Sequence, residues 1–309
     1  MNVEVARVTV DETDALAAVQ QNVGEEICRW TCISPIQKTL YISDLDGTLL
    51  NRNAELSEYT IDTLNKLIAN GVHFSVATAR TLASAGKILH GLELRLPIVL
   101  MNGVLIYDVG QQRYLQVCTI PRETVAAVIK MLRKFEVTGF MYELNNGELM
   151  TYHESLEKKP LRDFVEERIS RYYKTFRHTE GFDCISPDNI IYFTLRDTRE
   201  HLQPVLDALT GQPGQNHTFY SDTYSHGLWY LEIYNEAASK YNAVQFLRQQ
   251  YVFHRVVGFG DNLNDLPLFA ACDESYAVRG AKPEVKEKST AVIGGNDDDG
   301  VVKWIEENA

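Results

Sequence analysis

The run Leu40-Tyr41-Ile42-Ser43-Asp44-Leu45-Asp46-Gly47-Thr48-Leu49-Leu50 decides how this chain is read. Residues 40–43 are short, apolar and flanked by polar residues, which predicts a buried strand of a parallel sheet. Two carboxylates follow, two residues apart, with Gly47 directly behind them. On a continuing strand Asp44 and Asp46 would share a face and be desolvated together as like charges. That is costly unless a cation lies between them or the chain turns at the strand end. Gly47 permits the turn, and Mg²⁺ would supply the charge. Asp-Gly alone is also a common pair of acidic surface turns. The apolar run before it and Thr48-Leu49-Leu50 after it favour a site at the carboxyl end of a strand, where open α/β sheets bind ligands.

Outward from that loop, 309 residues predict about two domains and a substantial core. The composition, 45% hydrophobic and 23% charged, excludes a fibrous or largely disordered chain. A formal charge of −12 argues against a surface built for nucleic acid, although a local cation can still reverse the field inside one site. No apolar run approaches the roughly 18 residues that span a bilayer, and no signal-peptide core opens the chain, so no membrane partner is expected and the cytoplasm is the default location. The five cysteines are scattered. Cys28 and Cys32 could pair on a helix face, but no second ligand pair follows at zinc spacing, and ordinary thiols are expected.

Residues 1–38 precede the first core strand as an N-terminal extension, in which Leu16, Val19, Val23 and Ile27 form one helical stripe. From 39 the pattern alternates strand and helix. A helix is expected at residues 57–70, ended by Gly71, then a strand at 72–77 running into Thr78-Ala79-Arg80 and a further helix. A hydroxyl and free amides at a strand-to-helix junction can seat a phosphate, or simply cap the helix. A third strand at 96–101 ends at Asn102-Gly103, itself a strong hairpin signal. Around residues 110–118 the chain turns richer in Tyr, Arg, Lys and Glu. Two amphipathic helices, from Pro121 and from His201, and strand-like pieces at 139–143 and 189–195 predict a separate α+β domain over 114–222. Residues 229–233 are expected to restore the core, giving 39–113 and 223–309 as one domain.

Lys240 opens the next helix, where the dipole already favours anions; a bound anion, or plain solvation, would account for it. The strand at 256–259 leads into Gly260-Asp261-Asn262-Leu263-Asn264-Asp265, which lacks the Gly and Glu of an EF-hand loop. Residues 276–278 read as one more strand, and the acids at 297–299 as the capped start of a terminal helix.

These stretches together resemble the haloacid dehalogenase-like (HAD) phosphohydrolases of the Cof type. Asp44-Leu45-Asp46-Gly47-Thr48-Leu49 is similar to their nucleophile motif, Thr78-Ala79-Arg80 to the second, Ser239-Lys240 to the third, and Gly260-Asp261 with Asn264-Asp265 to the fourth. The family usually has Ala-Thr-Gly-Arg at the second motif, where this chain has Ala79, and it carries Asn-Gly at the place of Asn102-Gly103. The resemblance covers residues 39–309 and implies a doubly wound, Rossmann-like parallel-sheet core with an inserted α+β cap. It implies a Mg²⁺-dependent phosphatase of a small phosphorylated metabolite, a sugar phosphate or similar. Asp44 would be the nucleophile and Asp46 the acid and base. Thr78, Lys240 and Asn264 would bind phosphate, and Asp44, Asp46, Asp261 and Asp265 the metal, Asp46 through its main-chain carbonyl. Gly47, Ala79, Arg80, Asn102 and Gly103 would shape the site. The same resemblance allows a phosphomutase; a phospho-accepting or binding protein is the non-enzymatic alternative, which the second carboxylate, Asp46, argues against.

Overall fold

The computed structural model describes residues 38–309, which pack as one compact unit. The stripe expected at residues 16–27, with Cys28 and Cys32, lies outside them. β1 (Thr39–Ser43) is buried along nearly its whole length and pairs in parallel with β2 (His73–Val76). A parallel bridge from Ala77 to Val99 leads on to β3 (Ile98–Leu100), which folds back through antiparallel β4 (Leu105–Asp108) and β5 (Arg113–Val117). Six strands then make a second sheet: β6 (Gly139–Asn145), β7 (Glu148–His153), β8 (Arg177–His178), β9 (Ile190–Thr198), β10 (Gln215–Ser221) and β11 (Leu228–Asn235). Its order is β10-β11-β9-β6-β7-β8, antiparallel except where β8 joins β7.

The chain returns to the first sheet on the far side of β1. β12 (Arg255–Gly260) pairs with β1 in parallel, followed by β13 (Glu274–Val278) and β14 (Ala291–Ile293), giving the order β14-β13-β12-β1-β2. The fold is therefore α/β with a parallel, doubly wound core. Strand order reverses between β1 and β12, and that crevice is where such sheets place ligands. Asp44 follows one strand and Asp261 the other.

The expected return to the core at residues 229–233 is corrected by β11, which runs between β9 and β10 in the second sheet. An apolar strand announces burial but not which sheet buries it. At the other border, β5 carries the small antiparallel sheet β3-β4-β5 past residue 113. The helices at Arg122–Lys134 and Arg199–Leu209 bury the predicted stripes, including Val125, Val128, Leu132, Leu202 and Val205, against one face of the second sheet. A third helix there, Lys159–Tyr172, is so rich in charge that its short stripe of Leu161, Phe164 and Val165 is easily overlooked.

The acids at 297–299 do more than favour a helix N-terminus. Asp299 precedes the terminal helix Gly300–Asn308 without capping it, and its carboxylate instead accepts from the hydroxyls of Ser57 (2.5 Å) and Thr60 (3.0 Å). Asp297 pairs with Arg52. These contacts fasten the end of the chain to the helix Glu58–Ala69, whose N-cap is the same Ser57. Asp299→Ala should lose about 1–3 kcal/mol of stability, because Thr60 is buried and loses an acceptor. Urea unfolding measures this, and an unchanged midpoint would show the contact to be idle.

Candidate active site

The loop after β1 turns sharply. Gly47 has φ +79°, and the turn closes on a bond from the Leu50 amide to the Leu45 carbonyl at 2.9 Å. A side chain at Gly47 would be strained, and its Cβ would lie 2.5 Å from Asp261 Oδ2. The Asp44 amide donates to the Phe259 carbonyl on β12 (3.0 Å), which fixes the carboxylate at the crevice. Thr48 donates to Asp261 Oδ1 at 3.1 Å, so this one loop positions acids on both sides.

Lys240 is buried at the start of the helix Lys240–Tyr251. Its Nζ lies 2.6 Å from Asp44 Oδ1 and 2.7 Å from Asp265 Oδ1. The other Asp265 oxygen accepts the Asp261 and Asn262 amides at 2.9 and 3.0 Å. Asp44, Asp261 and Asp265 can each present an oxygen within 4.8 Å of the others. Burial, and then the charge of Asp265, push the Asp44 carboxyl up to about 7 against the pull of Lys240. The same two causes raise Asp261 well above its ordinary range. One ammonium among three carboxylates leaves negative charge that a hard divalent cation would balance.

Asp46 stands apart from this cluster. Its carboxylate is gripped by Arg80, Nε to Oδ2 at 2.7 Å and a terminal nitrogen to Oδ1 at 2.5 Å. Burial opposes its ionisation, but this bidentate pair overrides burial and holds the carboxyl below its ordinary range. Arg80 also donates to the Tyr172 hydroxyl (2.9 Å) at the end of the helix Lys159–Tyr172. Thr78 is fully buried, and its hydroxyl oxygen accepts the Arg80 amide at 3.2 Å, which leaves the hydroxyl proton free to donate. Ala79 sits outside the positive-φ region, so the methyl it carries in place of the usual glycine causes no strain.

Asn102 takes φ +55° and Gly103 φ +95°, and a Cβ on Gly103 would collide with the Ser239 carbonyl that precedes Lys240. Asn102 faces the second sheet and donates to Glu232 Oε2 (2.7 Å) and Tyr192 Oη (2.8 Å), while its own Oδ1 lies 3.5 Å from Asn264 Nδ2. The arrangement thus gathers Asp44, Lys240, Asp261 and Asp265 into one cluster, Asp46 with Arg80 into a second, and Asn102 with Asn264 into a link to the second sheet.

A family described as haloacid dehalogenase-like hydrolase matches residues 41–305. The chain belongs to that family. It is 24% identical over 274 residues, 85% of this chain and 95% of the other, to the 5-amino-6-(5-phospho-D-ribitylamino)uracil phosphatase YitU of Bacillus subtilis (strain 168). It is also 24% identical to the pyridoxal phosphate phosphatase YbhA of Escherichia coli (strain K12), over 85% of this chain and 95% of that one. A haloacid dehalogenase-like hydrolase from Bacteroides thetaiotaomicron shares the fold with a TM-score of 0.72 and 22% identity, covering 88% of this chain and 99% of its own. The chain is an enzyme of the HAD phosphatase type. Among its described residues no helix is long and apolar enough to cross a membrane.

Residues that sequence patterns do not single out line a cavity beside this HAD enzyme's site. Strands alternate faces. On the second sheet Met141, Phe193, Leu195, Leu231 and Ile233 meet the helices, whereas Tyr142, Tyr192, Thr194, Arg196, Tyr230 and Glu232 line a cavity of about 130 Å³ that also reaches Asp46 and Arg80. A carboxylate inside the apolar run 229–233 is the signal that could have drawn attention to Glu232. It accepts from Asn102, Tyr220 (2.9 Å) and Thr218 (3.3 Å), and burial raises its carboxyl from 4.5 to about 6. The folded state therefore resists ionising Glu232, and stability it holds below pH 4.5 is lost as pH rises through about 6. Relative to Glu232→Gln, the wild-type protein should lose about 2 kcal/mol between acid and neutral pH. Parallel stability curves would show that the residue ionises freely.

Proposed function

We propose that this enzyme hydrolyses a small phosphorylated metabolite in two steps, through an aspartyl phosphate on Asp44, with Mg²⁺ as cofactor. The observation that carries this reading is Lys240, buried between Asp44 and Asp265 with Asp261 beside them. Asp265 already has both oxygens engaged, by Lys240 and by two amides. Asp44, Asp261 and the main-chain carbonyl of Asp46 would therefore hold the ion, with Asp265 fixing Lys240. When bound, the ion neutralises the acids so that a dianionic phosphoryl group can enter.

In the first step the Asp44 oxygen that Lys240 does not hold attacks phosphorus and the bond to the leaving oxygen breaks. Lys240 and the Thr78 hydroxyl hold the phosphoryl oxygens as their charge develops, and Asn264 orients the group. Asp46 gives its proton to the leaving oxygen, then accepts one from the water that attacks phosphorus and frees Asp44. Held by Arg80, Asp46 is a carboxylate with no proton to give. Turnover then requires Arg80 to release it, which ties the first step to the lid through Tyr172. The second sheet and its helices serve as the cap, running from the crossing after β5 to the crossing after β11. The Asn235 side chain bonds the Thr119 carbonyl and so joins the two crossings.

Chelation should abolish release of phosphate from a generic phosphomonoester, and Mg²⁺ should restore it where Ca²⁺ does so poorly. Full activity after exhaustive chelation would remove the metal from the mechanism. The two acids of the loop separate by leaving group. Asp44→Asn should turn over nothing. Asp46→Asn should lose roughly 10²–10⁴ with a sugar alkoxide yet still give a burst of nitrophenol from nitrophenyl phosphate. Wild-type rates with both substrates would make Asp46 a structural residue.

A further inference from the structure

The charges on the cavity wall are almost all paired. Arg80 holds Asp46, Arg196 holds Asp222, and Arg168 donates to Glu167 at 3.0 Å. Glu232 is taken up by amide and hydroxyl donors. Lys174, which lines the same cavity, is the exception. It is buried, with 8% of its surface exposed, and among the described residues no carboxylate lies within ion-pair distance of it. Its ammonium lies instead over the Tyr142 ring, 4.5 Å from the centroid, with Phe176 at 5.1 Å.

The placement is built rather than incidental. The helix Lys159–Tyr172 ends at Tyr173 in the left-handed region, φ +53°, and the Lys174 amide bonds the Arg168 carbonyl at 3.2 Å. A cation near a helix C-terminus is favoured by the dipole, which would explain its sequence position. It does not explain the side chain, which leaves the carbonyls for the aromatic wall of the cavity. Two aromatic faces offset only part of the cost of burying a lone ammonium. Burial, and then Arg168, pull its proton affinity well below that of an ordinary lysine. An anion in the cavity would reverse both effects.

We propose that Lys174 is the cation of a second anion subsite, which holds a carboxylate on the leaving group of the phosphorylated substrate. Charge decides for a carboxylate over a second phosphate. Arg80, Arg168 and Arg196 are held by Asp46, Glu167 and Asp222, and Glu232 already sets one unpaired carboxylate on the wall against Lys174, so a single further carboxylate adds one negative charge to the cavity where a dianion would add two. The inference rests on the phosphatase reading above and refines its substrate class. No covalent step is involved: the contact is a charge-assisted hydrogen bond, formed beside aromatic walls that exclude water.

Matched substrates test it: phosphoglycerate against glycerol phosphate, and phosphogluconate against sorbitol phosphate, each differing by a carboxylate in place of a hydroxymethyl group. The wild-type enzyme should favour the acid of at least one pair by roughly 10–100-fold in kcat/KM. Lys174→Met should erase that preference through KM, Lys174→Arg should keep part of it, and nitrophenyl phosphate turnover should change in neither. Lys174→Met should also melt higher than the wild type without ligand, since an unpaired buried charge is gone. Glycerate, which contains no phosphate, should raise the melting temperature of the wild type but not of Lys174→Met. That readout stands even if no phosphomonoester is hydrolysed, an outcome that would overturn the phosphatase reading alone. No preference for the acid in either pair, or equal loss on acid and alcohol in Lys174→Met, would overturn the subsite.

Discussion

The structure turns on one buried ammonium. Lys240 joins Asp44, 196 residues earlier in the chain, to Asp265, 25 residues later, so a single nitrogen ties the end of β1, the start of a helix and the loop after β12. Taking these charges out of water costs several kcal/mol per ion, and the cost is offset because the ammonium meets two carboxylates at once. Two backbone amides complete Asp265, while the second oxygen of Asp44 is left for chemistry. The surrounding loops can close this tightly only with glycine at two points. Gly47 lets the β1 loop pass Asp261, and Gly103 lets the β3 loop lie against the Ser239 carbonyl. Removing Asp44 leaves Lys240 with Asp265. Removing Lys240 leaves buried acids facing each other, which makes it the costlier loss.

From that centre two polar links run into the second sheet. One goes from Asn264 through Asn102 to Glu232 and Tyr192, the other from Asp46 through Arg80 to Tyr172. Both leave the core beside Thr78, whose carbonyl accepts the Asn102 amide and whose hydroxyl accepts the Arg80 amide. A shift of the second sheet would have to break or remake these bonds together. The pairing of Asp46 with Arg80 is therefore joined to the helix Lys159–Tyr172 through the Arg80–Tyr172 bond. Few packed contacts could transmit this as sharply as a bidentate ion pair, which is either made or lost.

Much of the core was legible in the sequence because its signals are local. Apolar runs ending in Asp44 and Gly260-Asp261 mark strands that open on a site, whereas Lys240 at a helix start could equally have been a solvated lysine until its resemblance to the third motif gave it a partner. What was not legible depends on partners distant in sequence. Residues 229–233 look like any buried strand, and only pairing with β9 and β10 assigns them to the second sheet. Asp299 reads as a helix-start acid, yet its oxygen is taken by Ser57 and Thr60, some 240 residues earlier. Asp46 and Arg80 were each visible as motif residues; that they hold each other follows only from side-chain placement.

The second sheet carries its own information at a period of two. On β9, Phe193 and Leu195 point to the helices, and Tyr192, Thr194 and Arg196 to the cavity; on β11, Leu231 and Ile233 oppose Tyr230 and Glu232. A slip of one residue would put Glu232 and Arg196 among the helices and empty the cavity of polar groups, so burial of the apolar face enforces the register that builds the binding face. Once register is set, selectivity belongs to groups that are not already satisfied. A guanidinium locked to its own carboxylate offers a ligand little, because it must break one charge-assisted bond to form another. Within this cavity the arginines are each held by a carboxylate, while among the described residues Lys174 has none.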